Sequence, residues 1–457
     1  MKKHMRYSAS FLICAFAVLF GCSKQGEQLD HGWTPPVKVT DSIDSLAGGV
    51  ALYKCLDSIV ALQSPTRCFF MDRNTRGNDS WREVPLTGFS PEYTFDPAID
   101  QPSGRIVFDQ SYVENEQLEM NALFVRMTKS GKVQIEAERK WTVDKKALFG
   151  DTGINVKLAY STAKRHVLGG LGTGVINDTD VYLPYCINGE TYHGKIVNVD
   201  DGPFNNGIFR STDFGMTWQM ERISSDFRAF DPLVSKSKTH YYYFATRIVP
   251  AHGYQLWFSR KSVEGSSWDA PKTVTKTFAT AYGRYAAVSE DNTVHVCWMD
   301  CRHNMWRFNI DGPPIENDDI VYRHRKDSDK DWSKDAVLSK GLRYSYPPSM
   351  SAEGNKVVVT WAGIRSAGKV HSEYDPNDIY YVTSKDGGET WAKPLKVTDK
   401  AKEGIVSGKP QVMLLNGVIH LFYIQGALGN PEQLSPGLTR LKEAPWPIYY
   451  QQRPFPD

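Results

Sequence analysis

The sequence predicts an all-β fold, a propeller of four-stranded blades, and three observations carry the prediction. Tryptophans closing polar turns recur, most of them at intervals of roughly 50 to 65 residues, the length of four short strands with their loops. Between these turns lie short β-branched runs bounded by Asp, Asn and Gly, such as Val294-His-Val-Cys-Trp298 and Val357-Val-Val-Thr-Trp361. No stretch carries a convincing helical period.

The chain opens with an export signal. Lys2, Lys3 and Arg6 precede an apolar run over residues 11–20, and Gly21-Cys22 follows. A basic head, a short apolar run and a small residue before the cut describe a secretory signal over residues 1–21. That run is too short to cross a bilayer as a stable anchor. Leu19-Phe20-Gly21-Cys22 looks like a bacterial lipobox, which implies that Cys22 is acylated and begins the mature protein. The protein is then expected in the bacterial cell envelope, lipid-anchored, in the periplasm or at the outer surface. Ordinary cleavage near Cys22 with a free thiol is the alternative. Residues 22–45 make up the lipidated cysteine and a tether, and residues 46–457 the propeller domain.

The repeat is explicit in two places. Phe209-Arg-Ser-Thr-Asp-Phe-Gly-Met-Thr-Trp218 recurs as Val382-Thr-Ser-Lys-Asp-Gly-Gly-Glu-Thr-Trp391, and both spell Ser-x-Asp-x-Gly-x-Thr-Trp. Eroded copies end at Trp81, Trp268 and Trp332. A second register agrees: Trp298-Met-Asp-Cys-Arg302 and Trp361-Ala-Gly-Ile-Arg365 share Trp-x-x-x-Arg at the end of an apolar strand. Units fall at 46–88, 89–148, 149–223, 224–278, 279–341, 342–400 and 401–457, which is seven blades, or six if the first or last is partial. The last unit is short of strands. Thr34-Pro-Pro-Val-Lys-Val-Thr40 completes it by closing the ring, which would seal an exposed edge.

Composition narrows the partners. The formal net charge is +2 and no Lys/Arg run follows the N-terminus, so a nucleic-acid partner is excluded. Aromatics reach 12%, which suits pleated strands and clefts where rings stack on sugars. Five cysteines remain after Cys22: Cys55, Cys68, Cys186, Cys297 and Cys301. An odd number in an exported chain excludes complete internal pairing, and buried free thiols are expected. No metal signature is present, and no cofactor is implied.

The Ser-x-Asp-x-Gly-x-Thr-Trp turns resemble the Asp-box of sialidases and related BNR-repeat propellers. In that family the boxes are scaffold, on the face away from the active site. The resemblance extends over Asp96-Pro-Ala-Ile-Asp-Gln-Pro-Ser-Gly-Arg-Ile106, Gly172–Val175 and Val181–Tyr185. It implies a sialidase-like, exo-acting glycoside hydrolase working on the terminus of an acidic glycan. Tyr344 would be the nucleophile, Asp231 its proton acceptor, and Arg247 and Arg302 the clamp on a sugar carboxylate. Guanidinium groups suit that task because they offer planar, bidentate donors. The first unit departs from the family: Ala51–Leu56 replaces the strand with its first arginine, and no acid/base aspartate is evident.

Two other readings stand beside the hydrolase. Tyr185, Tyr192 and His193 read as part of a long insertion in the third unit, and loops on rigid scaffolds carry binding residues. With Arg247, Tyr185 and His193 would suit a polysaccharide lyase that cleaves uronate-containing glycans by β-elimination. The third reading is a non-catalytic, glycan-binding surface lipoprotein on the same propeller.

Overall fold

A computed structural model of the chain describes residues 29–40, 50–55, 58–63, 67–72, 80–85, 98–100, 103–114, 117–143, 174–187, 205–224, 229–249, 253–275, 281–289, 291–300, 319–340, 342, 344–345, 348–364, 377–427 and 447–456. The fold is a seven-bladed β-propeller. One short strand, β1 (Val37–Thr40), precedes the first blade. That blade holds β2 (Val50–Cys55), β3 (Ser58–Gln63), β4 (Arg67–Asp72) and β5 (Ser80–Pro85). Blade two holds β6 (Ala98–Asp100), β7 (Arg105–Glu114), β8 (Gln117–Met127) and β9 (Val133–Val143). Blade three holds β10 (Val175–Asn177), β11 (Asp180–Ile187), β12 (Asn205–Ser211) and β13 (Gln219–Ser224).

Blade four follows as β14 (Ala229–Lys236), β15 (His240–Val249), β16 (Gly253–Ser262) and β17 (Lys272–Thr273). Blade five is β18 (Ala281–Val288), β19 (Thr293–Asp300), β20 (Asp319–Lys326) and β21 (Ala336–Val337). In blade six the first strand is broken into β22 (Tyr344–Ser345) and β23 (Ser349–Glu353), ahead of β24 (Lys356–Ile364), β25 (Asp378–Ser384) and β26 (Leu395–Lys396). Blade seven runs β27 (Ile405–Leu415), β28 (Val418–Ala427) and β29 (Ile448–Pro454), and β1 fills its outer position against β29.

First strands of successive blades neighbour one another all the way round, from β2 through β6, β10, β14, β18, β23 and β27 back to β2. Between blades two and three the contact is a parallel bridge, Val175 to Ile99, which joins both blades into one eight-stranded sheet. Apolar side chains from facing blades fill the spaces between them. Cys297, Met299 and Tyr322 of blade five pack with Val357, Trp361 and Val382 of blade six. Trp298 and Trp361, the tryptophans of the Trp-x-x-x-Arg strands, are fully buried. Cys68 and Cys297 are buried.

The N-terminal segment is bound as well as paired. Trp33 packs edge-on against Tyr381, with ring centres 5.3 Å apart. Arg453 pairs with Asp30 and donates to the Tyr381 hydroxyl. Residues 29–40 therefore fasten blade seven to blade six. Among the described residues no helix is long and apolar enough to cross a membrane.

The two Ser-x-Asp turns link third to fourth strands in blades three and six, and their geometries match. Gly215 N–H donates to Ser211 Oγ at 2.7 Å, Thr217 N–H to Asp213 Oδ1 at 2.8 Å, and Trp218 Nε1–H to the Gly215 carbonyl at 3.0 Å. In blade six the same bonds join Gly388 to Ser384, Thr390 to Asp386 and Trp391 to Gly388, at 2.8, 2.9 and 3.1 Å. Every partner lies within four residues, so the sequence alone dictates the turn.

Candidate functional site

Strand direction sorts the chain between the two ends of the ring. In each four-stranded blade the first-to-second and third-to-fourth turns share one end. The two Ser-x-Asp turns are at that end. At the other end lie the start of every first strand and the connections from second to third strands. Four of those connections, 188–204, 301–318, 365–376 and 428–446, are long and lie outside the described residues.

Tyr344, Asp231 and Arg247 lie toward this second end. Tyr344 begins β22, paired with Ile364. Asp231 is the third residue of β14. Arg247 lies near the end of β15, between Ala229 and Gln255, and its guanidinium stacks over Trp257 at 4.5 Å from the ring centre. Such stacking fixes the plane of the fork without neutralising it. Arg302, Tyr192 and His193 fall in the long connections, and with Cys22 they lie outside the described residues.

Tyr185 is a correction. It sits in β11 opposite Gly207, not in the insertion, and its ring is fully buried 4.6 Å from that of Phe209. Burial pushes its phenol well above the usual tyrosine range, with Arg222 pulling the other way. Tyr185 belongs to the packing of blade three.

Of the two arginines of the expected clamp, Arg247 can be placed against its neighbouring blades. Three blades mark a common level on the third strand, where a hydroxyl accepts a backbone N–H: Thr275 from Leu256, Ser339 from Ile320 and Thr398 from Ile379, at 3.1, 2.8 and 3.0 Å. Pairing from that level aligns Arg247 with Asp300 and Gly363. Asp300 is fully buried and accepts Trp298 Nε1–H at 2.9 Å, while its cross-strand partner Asp319 accepts the Ser339 hydroxyl at 3.4 Å.

What the sequence reading missed is a repeated irregularity in the first strands. In β14 two residues, Asp231 and Pro232, stand opposite the single residue Ala245. In β18 Gly283 and Arg284 stand opposite Trp298. In β27 Lys409 and Pro410 stand opposite Tyr423. Blade six has the same surplus: Ser345 pairs with Gly363 and Ser349 with Thr360, so the first strand advances one residue more than the second between those pairs. Four consecutive blades thus carry one extra residue at the same level of the strand lining the central channel. Bulges of this kind re-aim side chains and break pairing, and they are over-represented beside active sites. The missed signal was proline inside a strand: Pro232, Pro347-Pro348 and Pro410, a residue that the ladder admits only at edges or bulges.

Among the described residues no group of three or more His, Cys, Asp or Glu side chains gathers as a metal site would require.

No family model and no curated protein matches this chain. Several solved structures resemble it. The Niastella koreensis GH74 enzyme is 14% identical with a TM-score of 0.48, over 86% of this chain and 54% of that one, so the present chain spans about half of that enzyme. The polysaccharide lyase Uly1 is 9% identical with a TM-score of 0.49, over 94% of this chain and 100% of its own. The α-L-arabinofuranosidase arb93a from Fusarium graminearum is 9% identical with a TM-score of 0.42, over 80% and 95%.

Proposed function

We propose that this protein is a glycoside hydrolase acting on the terminus of an acidic glycan, with its site where the bulged first strands open. The observation that carries the reading is the set of bulges on blades four to seven, which gives Asp231, Arg284 and Lys409 neighbouring levels on strands lining one channel. Cations recognise the sugar's carboxylate. A tyrosine of β22 or the residues just after it attacks the anomeric carbon as the glycosidic C–O bond breaks, and a carboxylate takes the phenolic proton. The departing oxygen gains a proton from an acid or water, and a second water then cleaves the glycosyl-tyrosine and returns the phenol. Tyr344 is the nucleophile the sequence resemblance suggests, with Asp231 as its partner and Arg247 and Arg302 in the clamp. Tyr346, two residues further along the sequence, is the second candidate. The propeller would be held at an envelope membrane through a lipid on Cys22.

The test is turnover of a panel of acidic glycans by residues 29–457, with Tyr344→Phe and Tyr346→Phe alongside. Loss of sugar release in one variant, with binding retained, identifies the nucleophile. Unsaturated uronate products from the wild type would replace hydrolysis by β-elimination. Binding without turnover would leave a glycan-binding protein.

A further inference from the structure

Lys409 occupies a conformation that its neighbours have to impose. Among the described residues five non-glycine positions have positive φ: Asp178, Phe214, Asn292, Lys409 and Asn416. Four of them sit in turns at the Ser-x-Asp end, where the chain reverses between strands. Lys409 alone lies inside a strand, with φ 48°, and it carries neither the short polar side chain of Asn or Asp nor the freedom of glycine.

The surrounding bonds explain how the strain survives. On one side of the bulge, Ser407 N–H donates to Asn377 Oδ1 at 2.9 Å, and Gln425 Nε2–H donates to Ser407 Oγ at 2.9 Å. On the other side, Val412 N–H donates to Ser349 Oγ at 3.1 Å and Leu414 N–H to Ser351 Oγ at 2.9 Å. Beyond these, Glu353 accepts the N–H groups of Asn416 and Gly417, both at 2.7 Å. Blade six therefore holds β27 above and below residues 409–410, and the local conformation is over-determined. Ser407 and Pro410 are buried, while the Lys409 side chain is exposed. A strained, exposed cation on a fixed backbone is what a preorganised ligand contact looks like, since strain of this sort persists where the fold holds it and collects at binding sites. Its register counterpart in blade four is Asp231, three blades away round the same channel.

We propose that Lys409 binds the anionic sugar of the substrate, its ammonium donating to the carboxylate from the bulge of blade seven. The assignment rests on the acidic-glycan reading of this site and adds the group that recognises the charge. A point-charge donor here complements planar arginine forks elsewhere: it follows a carboxylate that shifts during reaction, whereas a guanidinium fixes one.

The experiment uses residues 29–457 and three variants: Lys409→Met, Lys409→Arg and Lys409→Gly. Binding is measured by calorimetry for uronate-containing oligosaccharides and for the same oligosaccharides after carboxyl reduction. Lys409→Met keeps length and backbone strain without the charge. It should bind the acidic ligand at least about tenfold more weakly, the effect of one charge-assisted hydrogen bond, with the reduced ligand unchanged. Lys409→Arg should recover part of the loss. Lys409→Gly should lose affinity like the Met variant yet melt no lower than wild type, because glycine takes positive φ freely. Equal acidic-ligand affinity in wild type and Lys409→Met would overturn the assignment alone. A Gly variant that melts well below wild type would make Lys409 a structural residue. A wild type that binds no acidic glycan would overturn the reading of the site and this assignment with it.

Discussion

Gly387 and Gly388 are adjacent in the turn of blade six, and one methyl group on each separates backbone strain from packing. Both have positive φ, 74° and 94°. A Cβ on Gly387 would have nothing within 4 Å, whereas one on Gly388 would sit 1.9 Å from the Tyr322 hydroxyl oxygen and 2.4 Å from its Cζ. Tyr322 has no room to yield. It comes from blade five, is fully buried, and its hydroxyl lies 2.7 Å from His295 Nδ1 and 3.2 Å from the Gly387 carbonyl. Gly387→Ala should therefore bear only the left-handed backbone cost, about 1–2 kcal/mol. Gly388→Ala adds an overpacking cost of about 1–3 kcal/mol on top. Urea unfolding followed by circular dichroism gives the comparison directly, as the difference in midpoint at equal slope. Combining Gly388→Ala with Tyr322→Ala should cost less than the two singles together, since the second change removes the obstacle. Equal destabilisation by the two alanines would refute the argument that Tyr322 is driven against this turn.

Other predictions concern closure and pH. Trp33→Ala should lower stability by about 3–5 kcal/mol, the usual loss for a buried aromatic, and expose residues 29–40 to protease; an unchanged melt would mean that β1 does not close the ring. Burial, and then the nearby His324, hold the His295 imidazole down to about 3. A folded value below the unfolded one means stability is intact above about pH 6.5 and falls as pH drops toward 3. His295→Gln should flatten that fall, and identical pH–melting curves would remove His295 as its source. The hydroxyl and amide of Thr217 hold the Asp213 carboxyl at about 2. Burial acts to raise Asp386, but Thr390 outweighs it and leaves that carboxyl at about 2 as well. Both contributions are present above the ordinary carboxylate range and vanish as pH falls through about 2, so Asp386→Asn should lose stability at pH 6 and little at pH 2.

Much of the fold was legible because its signals are local. The Ser-x-Asp turns are closed by bonds spanning at most four residues, so two intact copies fix two blade positions without knowledge of the rest. The seven units follow from their spacing, and β1 sits where the strand-poor last unit needed a partner. The candidate site was less legible because it depends on pairing between strands. Asp231 was singled out by resemblance, but its bulge exists only relative to Ala245. Lys409 drew no notice in a run that reads as an ordinary strand, although Pro410 was a signal that the ladder is broken there. Tyr185 shows the reverse error. A tyrosine next to Pro184 reads as loop, yet alternation along β11 turns its ring into the blade core. Arg247 and Arg302 both end apolar strands in the sequence, but only Arg247 lies among the described residues, level with Asp300 of blade five.

The two ends of the ring divide the work, and the division is testable. At the turn end, blades lock together through side chains seated on glycine: Tyr322 of blade five on Gly388 of blade six, and Phe124 of blade two on Gly215 of blade three, where a Cβ would come within 2.7 Å of the Phe124 ring. These contacts repeat three blades apart at the fifth position of the same turn, so they serve assembly and carry no information about a ligand. At the opposite end the first strands break their ladders in four blades, and three of the breaks hold different pairs: Asp231-Pro232, Gly283-Arg284 and Lys409-Pro410. Repetition marks what the fold requires, and on the proposed function the variation at a fixed bulge answers to the ligand. Substitutions at Gly215 or Gly388 should then lower stability while leaving the glycan preference of the folded fraction intact. Substitutions at Arg284 or Lys409 should change preference with little effect on melting. A turn-end variant that alters glycan selectivity at full stability would break this separation, because it would place ligand contacts on the end where the sequence repeats itself.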